Sequence, residues 1–420
     1  IRYSSTSRGL GDVYKRQPQG GARVGAGRTP LAPSRKKKDY KIYLNTDVYE
    51  DINTYGKGNS FSTKVVDLVT AEIDNRKPHN YHYRFIDLFA GVGGFHLAFE
   101  KYGNECVFAS EIEPHCQKVY EKNYGMLPAG DITKISTDEI PDFDILCAGF
   151  PCQPFSYAGK LEGFEDKTRG TLFFDILRII KAKRPKMFLL ENVKGLKSHQ
   201  KGKTMNIIIN SLEDAGYTVY WKVLDSHEFG VPQKRERWYC VGFDKNIDFN
   251  FPKGTNNTTT LRDIVDVNLD DPKLKLSDFE MSRIRHHFES DEIRVQHDNS
   301  KYDPNTKKGK YGVYSYLKPD KTLRFHIGDP AKTQIQEAYY CSLDSVAPAI
   351  IVAREPKLWD IGRRLSVDEC RKLQGFPDGF IMDQSEIQAK KQMGNSVAVP
   401  VIEAIAKAML EAYEKGEQHN

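Results

Sequence analysis

The stretch FIDLFAGVGG at residues 85–94 joins a short apolar run to a turn that contains three glycines. The apolar run has the length and composition of a buried strand, and the residues that follow, 95–102, have the apolar spacing of a helix. Glycine at a strand-to-helix turn permits positive φ and allows a ligand to approach the backbone closely. The stretch therefore predicts the first strand–turn–helix unit of an α/β fold, with a ligand-binding turn between the two elements.

The same alternation continues downstream as far as residue 251. Further strands are predicted at 105–109, 143–148, 187–190, 217–224 and 238–243. Helices are predicted between several of them, at 114–124, 172–182 and 204–215. Strands that alternate with helices indicate βαβ units and a mostly parallel sheet covered on both faces.

The domain organisation follows from where this alternation stops and resumes. Residues 252–345 are polar and irregular, and a regular pattern returns at Leu365 and ends in a helix predicted at 399–412. We therefore predict an N-terminal extension at 1–80, a large domain formed by 81–251 and 361–415, and a smaller domain inserted at 252–360. Residues 1–38 lack periodic apolar residues, and we expect them to be disordered or not a native part of the protein.

The net charge of +5 is not evidence for a nucleic-acid partner. Residues 1–38 carry ten Lys and Arg and one Asp, a net charge of +9, so the rest of the chain has 5 − 9 = −4. Any DNA-binding argument must therefore rest on local motifs.

Cysteine usage and hydropathy narrow the class of protein further. The seven cysteines are scattered and form no C-x-x-C pair, which argues for a reducing compartment and against a disulfide framework or a zinc finger. The sequence has no run of about 18 apolar residues, so no membrane span is predicted. We expect a cytoplasmic protein without a bound metal.

Two acidic residues are placed to bind a nucleoside cofactor. Glu111 lies twenty residues after Gly91, at the end of the second predicted strand, where a carboxylate can accept from ribose hydroxyls. Asp131 follows at a third crossover and is a candidate acceptor for an adenine amino group. The alternative for each acid is a helix N-cap or a surface charge. The glycine spacing is not the usual dinucleotide one, so this pattern indicates an adenosine-bearing cofactor without identifying it.

A candidate nucleophile, carboxylate and pair of arginines follow the next strands. Cys152 stands after the third strand in a Pro- and Gly-rich loop, where a thiol can face a cleft, whereas Cys147 lies inside the strand. Glu191 ends the fourth strand, and ligands in open α/β sheets bind at that edge. Arg235 and Arg237 could hold a phosphate or a base edge, or could belong to a solvated turn with internal ion pairs.

Taken together, these motifs resemble those of a known family. The motifs, in chain order, are DLFAGVGG at 87–94, PCQ at 151–153, ENV at 191–193, QKRER at 233–237, LQGFP at 373–377 and GNS at 394–396. They resemble the DNA (cytosine-5) methyltransferases, especially the bacterial enzymes of restriction–modification systems, over about residues 83–250 and 360–412. The resemblance implies a Rossmann-like S-adenosylmethionine-dependent methyltransferase sheet, with 252–360 as an inserted target-recognition domain.

The resemblance also implies roles for the candidate residues. Cys152 would add to C6 of the target cytosine, and Glu191 would contact N3 and the exocyclic amine. Arg237 would assist at the base and Arg235 would support the loop, while Gln153 and Ser156 would contact the substrate. The cofactor, S-adenosyl-L-methionine, would be bound by Phe89, Val92, Gly94, Glu111, Ile112, Asp131, Ile132, Pro151 and Asn395.

The expected partner is double-stranded DNA, from which the target base must be flipped out. Candidates for reading the sequence are Arg283, Arg285, Lys307, Lys308, Lys310 and Arg324, although each can also be an ordinary solvated charge. We expect a monomer, with any cognate restriction endonuclease acting independently. Two alternatives remain: methylation of RNA, although the inserted segment lacks the Cys-Phe-Thr signature of that class, and a DNA-binding paralogue without activity.

Overall fold

A computed structural model of the chain describes residues 44, 46–56, 60–76, 81–151, 172–254, 258–298, 300, 303–305, 312–328, 335–351 and 355–418. The chain divides into two units, residues 1–77 and 78–420. In the first unit the described part contains the helices α1 (Thr46–Tyr55) and α2 (Phe61–Arg76). The rings of Tyr49 and Phe61 stack with centroids 4.7 Å apart and join the two helices. The sequence predicted a shorter α2 and missed α1.

The second unit is built on a six-stranded sheet in the order β2-β1-β3-β4-β7-β5. Its strands are β1 (Arg84–Leu88), β2 (Glu105–Ser110), β3 (Ile145–Gly149), β4 (Met187–Val193), β5 (Thr218–Asp225) and β7 (Glu236–Phe243). Strands β1 to β4 pair in parallel, and β7 runs antiparallel between β4 and β5. The predicted mostly parallel α/β sheet is confirmed.

Helices cover both faces of this sheet. They are α3 (Gly94–Glu100), α4 (Pro114–Tyr124), α5 (Leu172–Lys183), α6 (Lys203–Asp214), α8 (Val367–Leu373), α9 (Glu386–Asn395) and α10 (Val399–Gln418). One buried cluster joins α3 and α10 to one face of β1, β3, β4 and β7, and a second joins α5 and α6 to the other face. These layers bury apolar surface on both sides of the sheet, which explains why β3 and β4 read as continuous apolar runs.

The C-terminal helix α10 is an apolar core element. Its side chains Val401, Ile405, Met409 and Tyr413 are at most 1% exposed and belong to the first cluster. The segment Glu386–Glu417 contains a window apolar enough to cross a membrane, but 67% of that window is buried in the structure. Burial against the sheet accounts for this composition.

A second, antiparallel sheet lies in the region that the sequence predicted to be irregular. It contains β8 (Val295–His297), β9 (Val313–Leu317), β10 (Leu323–Ile327) and β11 (Ile335–Tyr340), with helix α7 (Asp278–Glu289) beside it. Leu276, Ile284, Leu323 and Phe325 form its own buried cluster. A third cluster mixes Leu261, Val265, Ile350 and Leu358 with residues of α8 and the glycine turn. The ends of this region therefore pack into the large domain, and the boundaries at 252 and 360 stay a prediction.

Arg283, a predicted base-reading residue, has a different role in this second sheet. Its guanidinium donates to both carboxylate oxygens of Glu337, at 3.4 and 2.9 Å, and lies over the ring of Phe325. Both members of the pair are nearly buried, with side chains 12% and 9% exposed. Arg283 thus holds α7 against β11, while Arg285 in the same helix is exposed.

Gly242 tests the packing of the central sheet. It lies in β7 opposite the fully buried Phe188 of β4, and a Cβ added there would overlap the Phe188 ring. We expect Gly242→Ala to lower the free energy of unfolding by about 1–3 kcal/mol, because overpacking forces the ring or the strand to shift. Urea unfolding measures this. Gly130→Ala is the matched control, since a Cβ there meets nothing within 4 Å; equal stability of the two variants would contradict the packing described here.

Candidate active site

The parallel strands end at one edge of the sheet, where the structure has a cavity of about 620 Å³. The predicted site residues that line it are Phe89, Gly94, Glu111, Ile112, Asp131, Ile132, Pro151, Glu191, Arg235, Arg237 and Asn395. Val92 is not among the lining residues, because its side chain is buried in the cluster that contains Val119 and Leu373. Cys152, Gln153 and Ser156 lie outside the described residues, as do Lys307, Lys308 and Lys310.

The turn after β1 has the backbone conformation that its glycines permit. Gly91 and Gly93 have φ of 56° and 88°, and Phe89 also has a positive φ of 56°. The hydroxyl of Tyr124 donates to the carbonyl of Gly93 at 2.7 Å, and a Cβ at Gly93 would overlap the Tyr124 ring. A Cβ at Gly91 would meet nothing within 4 Å, so this backbone is open toward the cavity.

Glu111 is held in place by backbone donors on both of its oxygens. The amide of Gly91 donates to Oε2 at 2.8 Å, and the amide of Glu113 donates to Oε1 at 2.8 Å. The carboxylate thus joins the end of β2 to the glycine turn. Each oxygen keeps a further lone pair with which to accept from a ligand hydroxyl in the cavity.

Asp131 makes the contacts of a helix N-cap. Its carboxylate accepts from the amide of Thr133 at 3.1 Å and from the Thr133 hydroxyl at 2.7 Å, before a short 3₁₀ helix at Ile132–Lys134. These hydrogen bonds with Thr133 lower the pKa of the carboxyl. The capping role accounts for the local contacts, and because Asp131 also lines the cavity, a role toward adenine stays a prediction.

Glu191 and Arg237 form an ion pair at the carboxyl end of β4. Arg237 Nε lies 3.2 Å from Glu191 Oε1, and the two side chains are 14% and 11% exposed. They face each other because Arg237 pairs with Val193 in the β4–β7 ladder, which puts it diagonally across from Glu191. Burial raises the pKa of the Glu191 carboxyl, and Arg237 and Arg235 oppose that rise.

Arg235 is buried and holds the wall of the cavity. Its guanidinium donates to the carbonyls of Ile350 at 3.0 Å, Gly394 at 3.2 Å and Ser396 at 2.6 Å. Burial lowers its pKa to about 10, so the group stays cationic at neutral pH. These contacts fit the supporting role predicted for Arg235.

The start of the loop that carries Cys152 is fixed by Asn192. The Asn192 amide donates to the carbonyl of Phe150 at 2.9 Å, and its Oδ1 accepts from the amide of Val193. This places Pro151 at the cavity wall, one residue before Cys152. The six cysteines that the structure describes all have a pKa raised first by burial, so none of them is disposed to be a thiolate.

Sequence reasoning missed one face of α9. Gln388, Lys391 and Gln392 line the cavity together with Asn395, which ends that helix. The spacing of these four polar residues, i, i+3, i+4 and i+7, places them on one helical face and could have revealed it. Across the part of the chain with described coordinates, no group of three or more His, Cys, Asp or Glu is arranged to hold a metal ion.

Comparison with curated proteins supports the same family as the motifs. The chain is 40% identical over 339 residues to the Type II methyltransferase M.DsaV of Dactylococcopsis salina, covering 80% of this chain and 88% of that protein. It is 42% identical over 354 residues to the Type II methyltransferase M1.ScrFI of Lactococcus lactis subsp. cremoris, covering 83% and 82%. Both matches extend over most of the large domain and the inserted region.

Among solved structures, the fold matches the crystal structure of the S. pombe Dnmt2 methyltransferase. The TM-score is 0.56 at 17% sequence identity, over 79% of this chain and 98% of that one, and this supports the fold alone. The family model described as C-5 cytosine-specific DNA methylase matches residues 83–411. The resemblance seen in the motifs is therefore confirmed, and the chain belongs to the C-5 cytosine-specific DNA methylase family.

Proposed function

We propose that this enzyme transfers a methyl group from S-adenosyl-L-methionine to C5 of a cytosine within a specific sequence of double-stranded DNA. The observation that carries the proposal is that one cavity holds the glycine turn and Glu111 at one end and the Glu191–Arg237 pair at the other. A nucleoside cofactor and a pyrimidine base can therefore be bound side by side.

The residues present fit the cofactor. Phe89 and Ile132 offer apolar surface for an adenine ring, and Glu111 is oriented by two backbone amides to accept from ribose hydroxyls. Gly91 leaves its backbone open at the turn. When bound, S-adenosyl-L-methionine supplies an electrophilic methyl group on its sulfonium.

Glu191 and Arg237 fit the recognition of a flipped cytosine. A carboxyl group can bond to N3 and accept from the exocyclic amine, and the raised pKa of Glu191 keeps a proton available for N3. Arg237 lies beside it, where it orients the carboxyl and can reach the O2 edge of the base. C5 and C6 are inaccessible to such a cavity within a duplex, so the base must leave the stack.

Cys152 supplies the nucleophile in this proposal. Its thiolate forms a bond to C6, the electron pair displaced from the C5–C6 double bond makes C5 nucleophilic, and C5 then takes the methyl group. Loss of the C5 proton to a base restores the double bond and expels the Cys152 thiolate. Asn192 aids this step by positioning the backbone at Phe150, two residues before the thiol.

The biological setting follows from the same proposal. We expect an enzyme of a bacterial restriction–modification system that acts as a monomer on DNA in the cytoplasm, associated with the nucleoid. The region 252–360 would read the target sequence, with Arg285 and Arg324 as the remaining described candidates. Arg324 donates to Gln336 at 2.8 Å, so it would have to exchange that partner for a base.

The covalent step predicts a trapped adduct. DNA that carries 5-fluorocytosine at the target position should form a denaturation-resistant complex with the enzyme and S-adenosyl-L-methionine, because the C5 fluorine cannot leave as a proton does. Gel electrophoresis under denaturing conditions measures this. Cys152→Ala should abolish the complex, and the control Cys116→Ala, which changes a cavity-lining thiol of raised pKa, should retain it. An adduct that survives in Cys152→Ala would contradict the assignment.

Activity and target sequence can be read together by bisulfite sequencing of DNA from a methylation-free host that expresses the chain. We expect C5-methylated cytosine at one recurrent sequence. Unmodified DNA from cells that contain soluble protein would contradict the proposed function and favour a paralogue without activity. Methylation confined to RNA would move the enzyme to the other substrate class.

Glu191→Gln should lower the single-turnover methylation rate by about 100-fold or more, because it removes an interaction that strengthens as charge develops on the ring. Since burial raises the pKa of Glu191, the wild-type rate should decline as the carboxyl loses its proton with rising pH, and the variant should lack that decline. The control is Glu236→Gln, which removes a half-exposed carboxylate paired with Lys194 in the same strand as Arg237. Equal loss in both variants would rule out a specific role for Glu191.

A further inference from the structure

Helix α9 presents a polar face to a cavity whose other helical neighbours are largely apolar. Gln388, Lys391, Gln392 and Asn395 all line the cavity, and Ala389 and Met393 on the opposite face are fully buried in the core. A helix normally turns its apolar face inward and its polar face to bulk water. Here the polar face meets a cavity, which indicates that a polar ligand group occupies the space beside it.

Gln392 is the sharpest observation on this face. Its side chain is 4% exposed, and neither the amide nitrogen nor the amide oxygen makes a hydrogen bond within the described structure. The amide lies close enough to Asp383 to contribute to the low pKa of that carboxyl, but without hydrogen-bond geometry. Burying an unsatisfied amide destabilises a protein, so its retention beside a cavity points to a partner in the ligand-bound state.

Lys391 adds charge next to this amide. Its ammonium lies 3.6 Å from Glu113 Oε2, and both side chains are more than a third exposed. An ion pair of this length and exposure contributes little by itself. The result is one cation and one anion side by side at the cavity, with an unsatisfied amide adjacent to the cation in the sequence.

We propose that this face of α9 binds the zwitterionic amino-acid head group of the methyl donor. The ligand carboxylate pairs with Lys391 and accepts from the Gln392 amide, and the ligand ammonium pairs with Glu113 and donates to the Gln392 oxygen. The nucleoside half of the cofactor carries no such pair of opposite charges, so it does not match this site. The inference rests on the proposed function, since it assigns a subsite for that cofactor.

The test compares two ligands that differ in the head group. S-adenosylhomocysteine has it, and 5′-methylthioadenosine keeps the nucleoside and the sulfur but lacks the amino acid. We expect Gln392→Met and Lys391→Met each to weaken binding of S-adenosylhomocysteine about tenfold, the scale of a hydrogen bond to a charged group, and to leave 5′-methylthioadenosine unchanged. Calorimetry on the full chain measures both affinities. Lys390→Met is the matched control, because Lys390 pairs with Glu386 and does not line the cavity.

Thermal stability without ligand separates binding from a structural role. Because the Gln392 amide makes no hydrogen bond, Gln392→Met should not lower the unfolding temperature of the ligand-free protein. Equal weakening of both ligands, or of neither, would overturn the head-group assignment and leave the proposed function intact. Failure of the wild-type protein to bind either ligand would overturn both.

Discussion

The cavity depends on one buried cation, the guanidinium of Arg235. It reaches three backbone carbonyls, those of Ile350, Gly394 and Ser396, which lie 115 to 161 residues further along the chain. These bonds join the start of β7 to the returning end of the inserted region and to the turn between α9 and α10. Without the guanidinium, three carbonyls would be left without that donor, and the walls of the cavity would lose their common anchor.

The two functional carboxylates of the cavity differ because their surroundings differ. Glu111 receives two backbone amides and is thereby oriented for hydrogen bonding to a neutral, hydroxyl-bearing ligand. Glu191 is buried beside Arg237, and its raised pKa suits exchange of a proton with a base. Both stand at strand ends, where the ladder holds the backbone and leaves the side chain free to meet a ligand.

Local patterns predicted the sheet well and the inserted region poorly. β1 to β4 are buried on both faces, so each reads as an apolar run that ends at a polar or glycine residue. The strands β8 to β11 are short and carry Tyr, His and Arg among their apolar residues, so their pairing depends on partners distant in sequence. Arg283 shows the consequence: it looked like a solvent-facing cation, yet its partner Glu337 lies 54 residues away across a core.

The sequence by itself determined the family, the order of strands and helices, and the motif residues at the strand ends, because these depend on local spacing and residue chemistry. Only the tertiary structure decided which of those residues share a cavity: it brought Glu191 against Arg237, set Val92 into the core, and made Asp131 a helix cap as well as a cavity residue. It also brought α9, nearly 300 residues after the glycine turn, to the same cavity. Such proximity arises from long-range packing, and no local pattern encodes it.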